Sequence, residues 1–155
     1  NAEDIRFIDL RSVVNSHYED KVAGDGKGGW TDQGENCLRY TPWGIRQCNG
    51  IPFDFIRHDM NSGRSCIVMG SKMRPDAPGE ICGIQVGSLV RNLYFLQASA
   101  WTGKGLCFTY VIHYRDGSRI DIPIHDNIEI ADWFKIKAKK GKTGILYLAN
   151  ALFLP

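Results

Sequence analysis

No two cysteines in this sequence are spaced C-x-x-C, and the five present, Cys37, Cys48, Cys66, Cys82 and Cys107, are odd in number and widely separated. Without a C-x-x-C pair a zinc site is not expected. The thiols read as small buried apolar groups, with one pair among them left open. Long apolar runs are also missing. None approaches the ~18 residues that a membrane-spanning helix requires, so no membrane span is expected. A surplus of charge is missing too, because the net charge is only +2. The one basic stretch, Lys135 to Lys142, has no interleaved aromatics and reads as a solvated loop. Nucleic acid is therefore not an expected partner. Neither G-x-S-x-G nor H-E-x-x-H occurs, which removes the common signatures of a serine hydrolase and a zinc protease. Carboxylate pairs for glycoside hydrolysis leave no local signature, and nothing in the sequence points to one.

Helical periodicity is lacking as well. No window of twelve residues carries an apolar stripe at i, i+3, i+4 and i+7. What is present instead is a series of short β-rich runs: Ile5–Leu10, Leu38–Tyr40, Ile51–Arg57, Ser65–Met69, Gln85–Val86, Asn92–Trp101, Leu106–Arg115, Ser118–Ile124 and Ile145–Leu154. Turn formers separate them, among them Asn49-Gly50, Asn61-Ser62-Gly63 and Asp116-Gly117. This punctuation predicts an all-β chain, an antiparallel β-sandwich or jelly roll, forming one domain over residues 1–155. The first residue is Asn1, and the end runs apolar from Ile145 to Pro155, so the chain is expected to be a piece of a larger, multidomain protein.

One hairpin can be read to its register. A two-residue loop of Asp116-Gly117 would set Ile112 against Asp121 and Tyr110 against Pro123. A three-residue loop of Arg115-Asp116-Gly117 sets Ile112 against Ile120, Tyr110 against Ile122 and Phe108 against Ile124. Side chains alternate faces along a strand, so only the longer loop gives a continuous apolar face. It also puts Gly117 at the left-handed position of a G1 bulge. Val111, His113, Arg119 and Asp121 then form the wet face, where His113 and Asp121 read as a surface pair.

The stretch from Asn15 to Asn36 is polar and rich in glycine, and a loop of that length in a compact domain is commonly functional. Asn15, Asp20, Asp25 and Asp32 offer hard oxygen donors, and the intervening glycines allow carbonyls to turn inward. That suits a structural Ca²⁺, although the spacing is not that of an EF-hand. The same acids also read as turn formers and caps. The tryptophans in loops, Trp30 and Trp43, and Trp101 at a strand end, could offer flat faces to sugar rings. Together with Arg39 they make up the candidate glycan-contact set. Each could equally be core, as Trp133 is expected to be.

Phe7-Ile-Asp-Leu10, Asn15 and the run Gly24-Asp-Gly-Lys-Gly-Gly-Trp-Thr-Asp-Gln-Gly34 resemble the opening of a β-sandwich accessory domain found in secreted bacterial glycoside hydrolases. Gly50-Ile-Pro-Phe-Asp54, Leu93-Tyr-Phe-Leu96, Ala100-Trp101, His113-Tyr-Arg-Asp-Gly-Ser118, Ile122-Pro-Ile124 and Ala131-Asp-Trp-Phe134 extend the likeness. The resemblance implies a galactose-binding-like sandwich, extracellular or at the cell surface, that binds a polysaccharide or oligosaccharide and is joined to the catalytic domain of its parent chain. It also implies that Asn15, Asp20, Asp25 and Trp30 belong to an early structural loop of the sort that holds calcium. Three readings follow: a non-catalytic carbohydrate-binding module, a spacer packed on a catalytic module, and a jelly-roll glycan hydrolase or lyase.

Overall fold

The computed structural model describes residues 4–133 and 149–152. Strand accounts for 27% and helix for 2%, so the regular structure is essentially all β, as expected. Among the described residues six strands pair as three small antiparallel sheets of two strands each. Among the described residues no helix is long and apolar enough to cross a membrane. The chain groups into two compact units, Asn1–Val90 and Arg91–Pro155.

The first unit contains one hairpin, β1 (Gly44–Cys48) paired with β2 (Ile51–Phe55), followed by a single 3-10 turn, His58–Met60. Asn49 and Gly50 join the two strands at φ values of 51° and 81°. Both signs are those of a type I′ turn, whose twist matches that of the flanking strands. Cys48 is fully buried and closes the hairpin opposite Ile51, and Phe55, Ile56, Val14 and Val68 complete this unit's small core. The rest of the unit is irregular backbone held by scattered hydrogen bonds. Ser16 and Cys66 form an isolated antiparallel bridge. The Asn15 side chain extends that pairing: its Nδ2 donates to the Val68 carbonyl and its Oδ1 accepts from the Val68 N–H, both at 2.8 Å.

In the second unit, β4 (Leu106–His113) pairs with β5 (Arg119–His125), and β3 (Leu93–Leu96) pairs with β6 (Ala149–Leu152). The β4–β5 register is the predicted one, with Phe108 opposite Ile124, Tyr110 opposite Ile122 and Ile112 opposite Ile120. Tyr114 N–H donates to Ser118 O, which leaves the three-residue loop, and Gly117 sits at φ 87°. Ile124 is fully buried, whereas Val111, His113, Arg119 and Asp121 are exposed on the other face. On that face Asp121 pairs with Arg119 at 3.0 Å, so it is not left to His113. Between Leu106 and Phe108 the register slips by one residue, a bulge at Cys107. Phe95 of β3 stacks on Tyr110 of β4 at 4.2 Å between centroids, and Tyr110 Oη donates to Gln97 Oε1 at 2.8 Å.

Several expected strands are absent. Ile5–Leu10 and Gln85–Val86 are irregular, Leu38–Tyr40 is mostly turn, and Ser65–Met69 contributes only the bridge residue Cys66. The reason is visible at Ile5 and Phe7, which are 47% and 39% exposed: an apolar run without a neighbouring strand cannot satisfy its amides as a ladder. All five cysteines are unpaired, so the disulfide left open does not form. Of the expected run Ile145–Leu154 the described part is β6. The basic stretch Lys135–Lys142 lies outside the described residues.

Candidate functional site

The loop from Asn15 to Asn36 folds back on itself so that Asp20, Asp25 and Asp32 converge. One oxygen from each lies within 4.8 Å of the others. The folding is driven by backbone donors. Asp20 accepts from Lys21 N–H at 2.8 Å with one oxygen and from Gly34 N–H with the other, which fastens the start of the loop to its end. Asp32 Oδ2 accepts from Gly26 N–H at 3.1 Å, and Asp25 Oδ1 from Lys27 N–H at 2.8 Å. Asp20 is 6% exposed, Asp32 is half-buried and Asp25 lies at the surface. Asp32 Oδ1 is buried without a hydrogen-bond partner. A buried carboxylate oxygen with nothing donating to it is costly unless a cation is close, and an all-oxygen donor set fits calcium. Asn15 is not in this group, because both atoms of its amide are taken by Val68.

The glycines of the loop are needed for contact, not only for turning. A side-chain carbon on Gly29 would collide with the carbonyls of Glu19 and His17, and one on Gly28 would collide with the backbone of Asp32. The carbonyls of this same stretch face a cation from elsewhere in the chain. Arg74, only 8% exposed, donates Nη1 to Gly29 O and lies 3.5 Å from Trp30 O and 3.4 Å from Gly28 O. Its remaining edge forks onto Asp76, at 3.0 Å and 2.8 Å. This pairing raises the Arg74 pKa and lowers that of Asp76. Nothing in the local sequence announces Arg74, since most of its partners lie about a third of the chain away.

The four candidate glycan contacts are dispersed. Trp30 is half-buried, and its indole Nε1 is buried without a partner. Trp43 packs edge-on against His58 at 5.1 Å and tilts over Tyr18 at 6.0 Å, so its ring is committed to the interior of the first unit. Burial there pushes the Tyr18 hydroxyl pKa up, and pushes the neighbouring Cys66 thiol up to about 12. Arg39 lies 3.5 Å from Glu35. Trp133 is half-buried.

Trp101, in the second unit, is different. It is 43% exposed and holds φ at 52°, in the left-handed region. For a bulky residue that conformation costs about 1–2 kcal/mol and persists only where the surroundings impose it. Here they do. Ser99 N–H donates to Ala131 O at 3.0 Å and Trp133 N–H donates to Ser99 O at 2.9 Å. On the other side Thr102 Oγ1 donates to Asp126 Oδ1 at 2.7 Å, and Asn127 Nδ2 holds the second oxygen of the same buried carboxylate at 2.6 Å. The sequence gives no hint of this Ser99–Thr102–Asp126 support.

In comparisons with known proteins the chain matches no family model, no curated protein and no solved structure.

Proposed function

We propose that this protein is a non-catalytic carbohydrate-binding domain, an antiparallel β-sandwich of the galactose-binding-like kind. In this reading it acts outside the cell or at its surface and holds the catalytic domain of a polysaccharide-degrading enzyme, part of the same chain, on its glycan. Trp101 is the observation that carries the reading. A large aromatic face is kept in solvent, in a strained backbone conformation, by a loop fixed on both flanks. Pyranose rings present C–H-rich faces that stack on such a surface. Preorganising the loop removes the ordering cost that would otherwise be charged against a weak contact. Weak binding suffices in a tethered module, because attachment raises the effective concentration of the catalytic partner at the polysaccharide. The sandwich reading is supported by the second unit, where Phe95 of one sheet stacks on Tyr110 of the other.

Calcium belongs to the same proposal. Asp20, Asp25 and Asp32 would hold it, and its contribution is structural: it neutralises three converging carboxylates and fixes the loop.

The test is a glycan array probed with the full chain and with Trp101→Ala. Binding to one class of polysaccharide is expected, with the variant weakened by at least about tenfold. Binding unchanged by the substitution removes Trp101 from the site. Binding to no polysaccharide at all favours a spacer that packs on a catalytic domain.

A further inference from the structure

The first unit carries a polar cleft of about 290 Å³ whose lining comes from four separate stretches of chain. Ser16 and His17 form one wall, Gly26, Lys27 and Gly28 a second, and Ser62, Gly63 and Arg64 a third, with Arg74 and Asp76 also lining it. Its charge is lopsided. Three cationic residues, Lys27, Arg64 and Arg74, line the cleft with one acidic residue, Asp76, whose carboxylate is forked onto Arg74. Of these cations Arg74 has an ion pair, and among the described residues Lys27 and Arg64 have none. Ser62 and His17 add further polar residues to the lining of the same cleft.

We propose that this cleft binds an acidic sugar residue, a hexose carrying a carboxylate or a sulfate ester. The two uncommitted cations supply the charge, and the guanidinium of Arg64, unlike that of Arg74, keeps its donors for the paired oxygens of either group. The volume lies at the lower edge of the range for small-molecule sites, so it accommodates one ring with its acidic substituent rather than a chain. Exposed Ser62 and the glycine backbone that lines the cleft are suited to ring hydroxyls. Arg74 does not need to move, because its carbonyl bonds to the glycine loop fix one wall in advance. The sugar part of the assignment rests on the glycan reading above; the anion part stands on the cleft alone.

The experiment is ¹H–¹⁵N NMR titration of the full chain with galacturonic acid and with glucose 6-sulfate, set against galactose, glucose and inorganic sulfate. Lys27 and Arg64 are exposed and bear no side-chain bond, so the double variant Lys27→Ala/Arg64→Ala is expected to leave the fold intact, which a thermal melt checks. Expected are saturable shifts at the amides of residues 26–28 and 62–64 with the acidic sugars and none with the neutral parents. The double variant raises the Kd at least about tenfold, and binding weakens as salt screens the cations. Which acidic sugar binds more tightly decides between carboxylate and sulfate ester. Equal shifts from the neutral parents, or a double variant that binds as the parent does, overturn the cleft. Shifts from inorganic sulfate alone, or a short oligonucleotide binding there as tightly as the acidic sugars, overturn the sugar. Trp101→Ala is titrated in parallel. Loss of polysaccharide binding there, with the cleft shifts retained, separates the fate of this site from that of the glycan platform.

Discussion

The Arg74 guanidinium donates to the carbonyl of Gly29, a residue 45 positions earlier in the chain. A buried cation thereby does for this loop what a strand would do elsewhere, gathering carbonyls that no ladder satisfies. Arg74→Met keeps most of the volume and removes every donor. Because hydrogen bonds to a charged group are worth about 1.5–3 kcal/mol, the variant is expected to lose about 3 kcal/mol, read by denaturant unfolding. Asp76→Asn is expected to lose less, since its carboxylate side chain is 46% exposed. Equal losses from the two variants mean that the ion pair, not the carbonyl cradle, matters.

The two glycines of the loop separate contact from conformation. Gly29 lies against the Glu19 and His17 carbonyls, whereas Gly24 has open space around it and a φ of 71°. Gly24→Ala is expected to cost about 1 kcal/mol, the price of left-handed backbone. Gly29→Ala forces two backbone carbonyls apart and is expected to cost about 3 kcal/mol, at the upper end for overpacking. Thermal melts of the pair decide it. The order reversed means that the loop yields more readily than its packing suggests.

Stability should decline toward both acid and alkali. Asp9, Asp59, Asp76, Asp116 and Glu129 all have lowered pKa values, through bonds from Arg11, Arg57, Arg74, Ser118 and His125 respectively. A depressed carboxylate stabilises the fold above its unfolded value, near about 4, and that contribution is lost as pH falls through the folded value. These groups are largely exposed, so the decline should be shallow, and Asp76→Asn should flatten it slightly. At the other end burial holds the Cys66 thiol up to about 12. The unfolded thiol ionises near about 8.5, so the unfolded state gains from each further rise in pH above that point. Cys66→Ala should reduce the alkaline loss. A variant that melts in parallel with the parent from about pH 8 to about pH 11 removes Cys66 as the cause.

The β4–β5 register could be read from the sequence because period-two burial and a glycine at the turn both demanded the same pairing. Tyr110 opposite Ile122 needs no other part of the molecule. The β1 strand could not be read so. Ile45, Arg46 and Gln47 are all exposed, so no alternation marks it, and the Asn49-Gly50 turn against β2 alone makes it a strand. Ile5–Leu10 has the opposite fault, with apolar residues but no partner strand. The candidate site divides in the same way. The three aspartates were legible as a local cluster of hard oxygens. Asn15 was not separable from them, because its amide is diverted to Val68, 53 residues on. Trp101, at an expected strand end, and Trp43, in a loop, were both candidates in sequence, since exposure is decided by what packs around a ring.

Asp20, Asp25 and Asp32 give the last prediction its discriminating sign. With one oxygen of each within 4.8 Å of the others, the carboxylates repel unless a cation lies among them. A calcium ion bound only by the folded chain adds about 2.7 kcal/mol when present at a hundredfold over its Kd. Added calcium is therefore expected to raise the melting temperature of the full chain and a chelator to lower it. Magnesium should do little, since it requires a regular octahedron and gives up water reluctantly. Asp25 is the member at the surface, so Asp25→Ala tests charge with little loss of packing. In the presence of chelator this variant should be more stable than the parent, because one repelling charge is gone. With calcium it should be less stable, because a ligand is gone. A crossing of the two melting curves with calcium is the expected result; parallel curves, unmoved by calcium or chelator, discard the ion and leave the aspartates as caps for the Gly26, Lys27 and Gly34 amides.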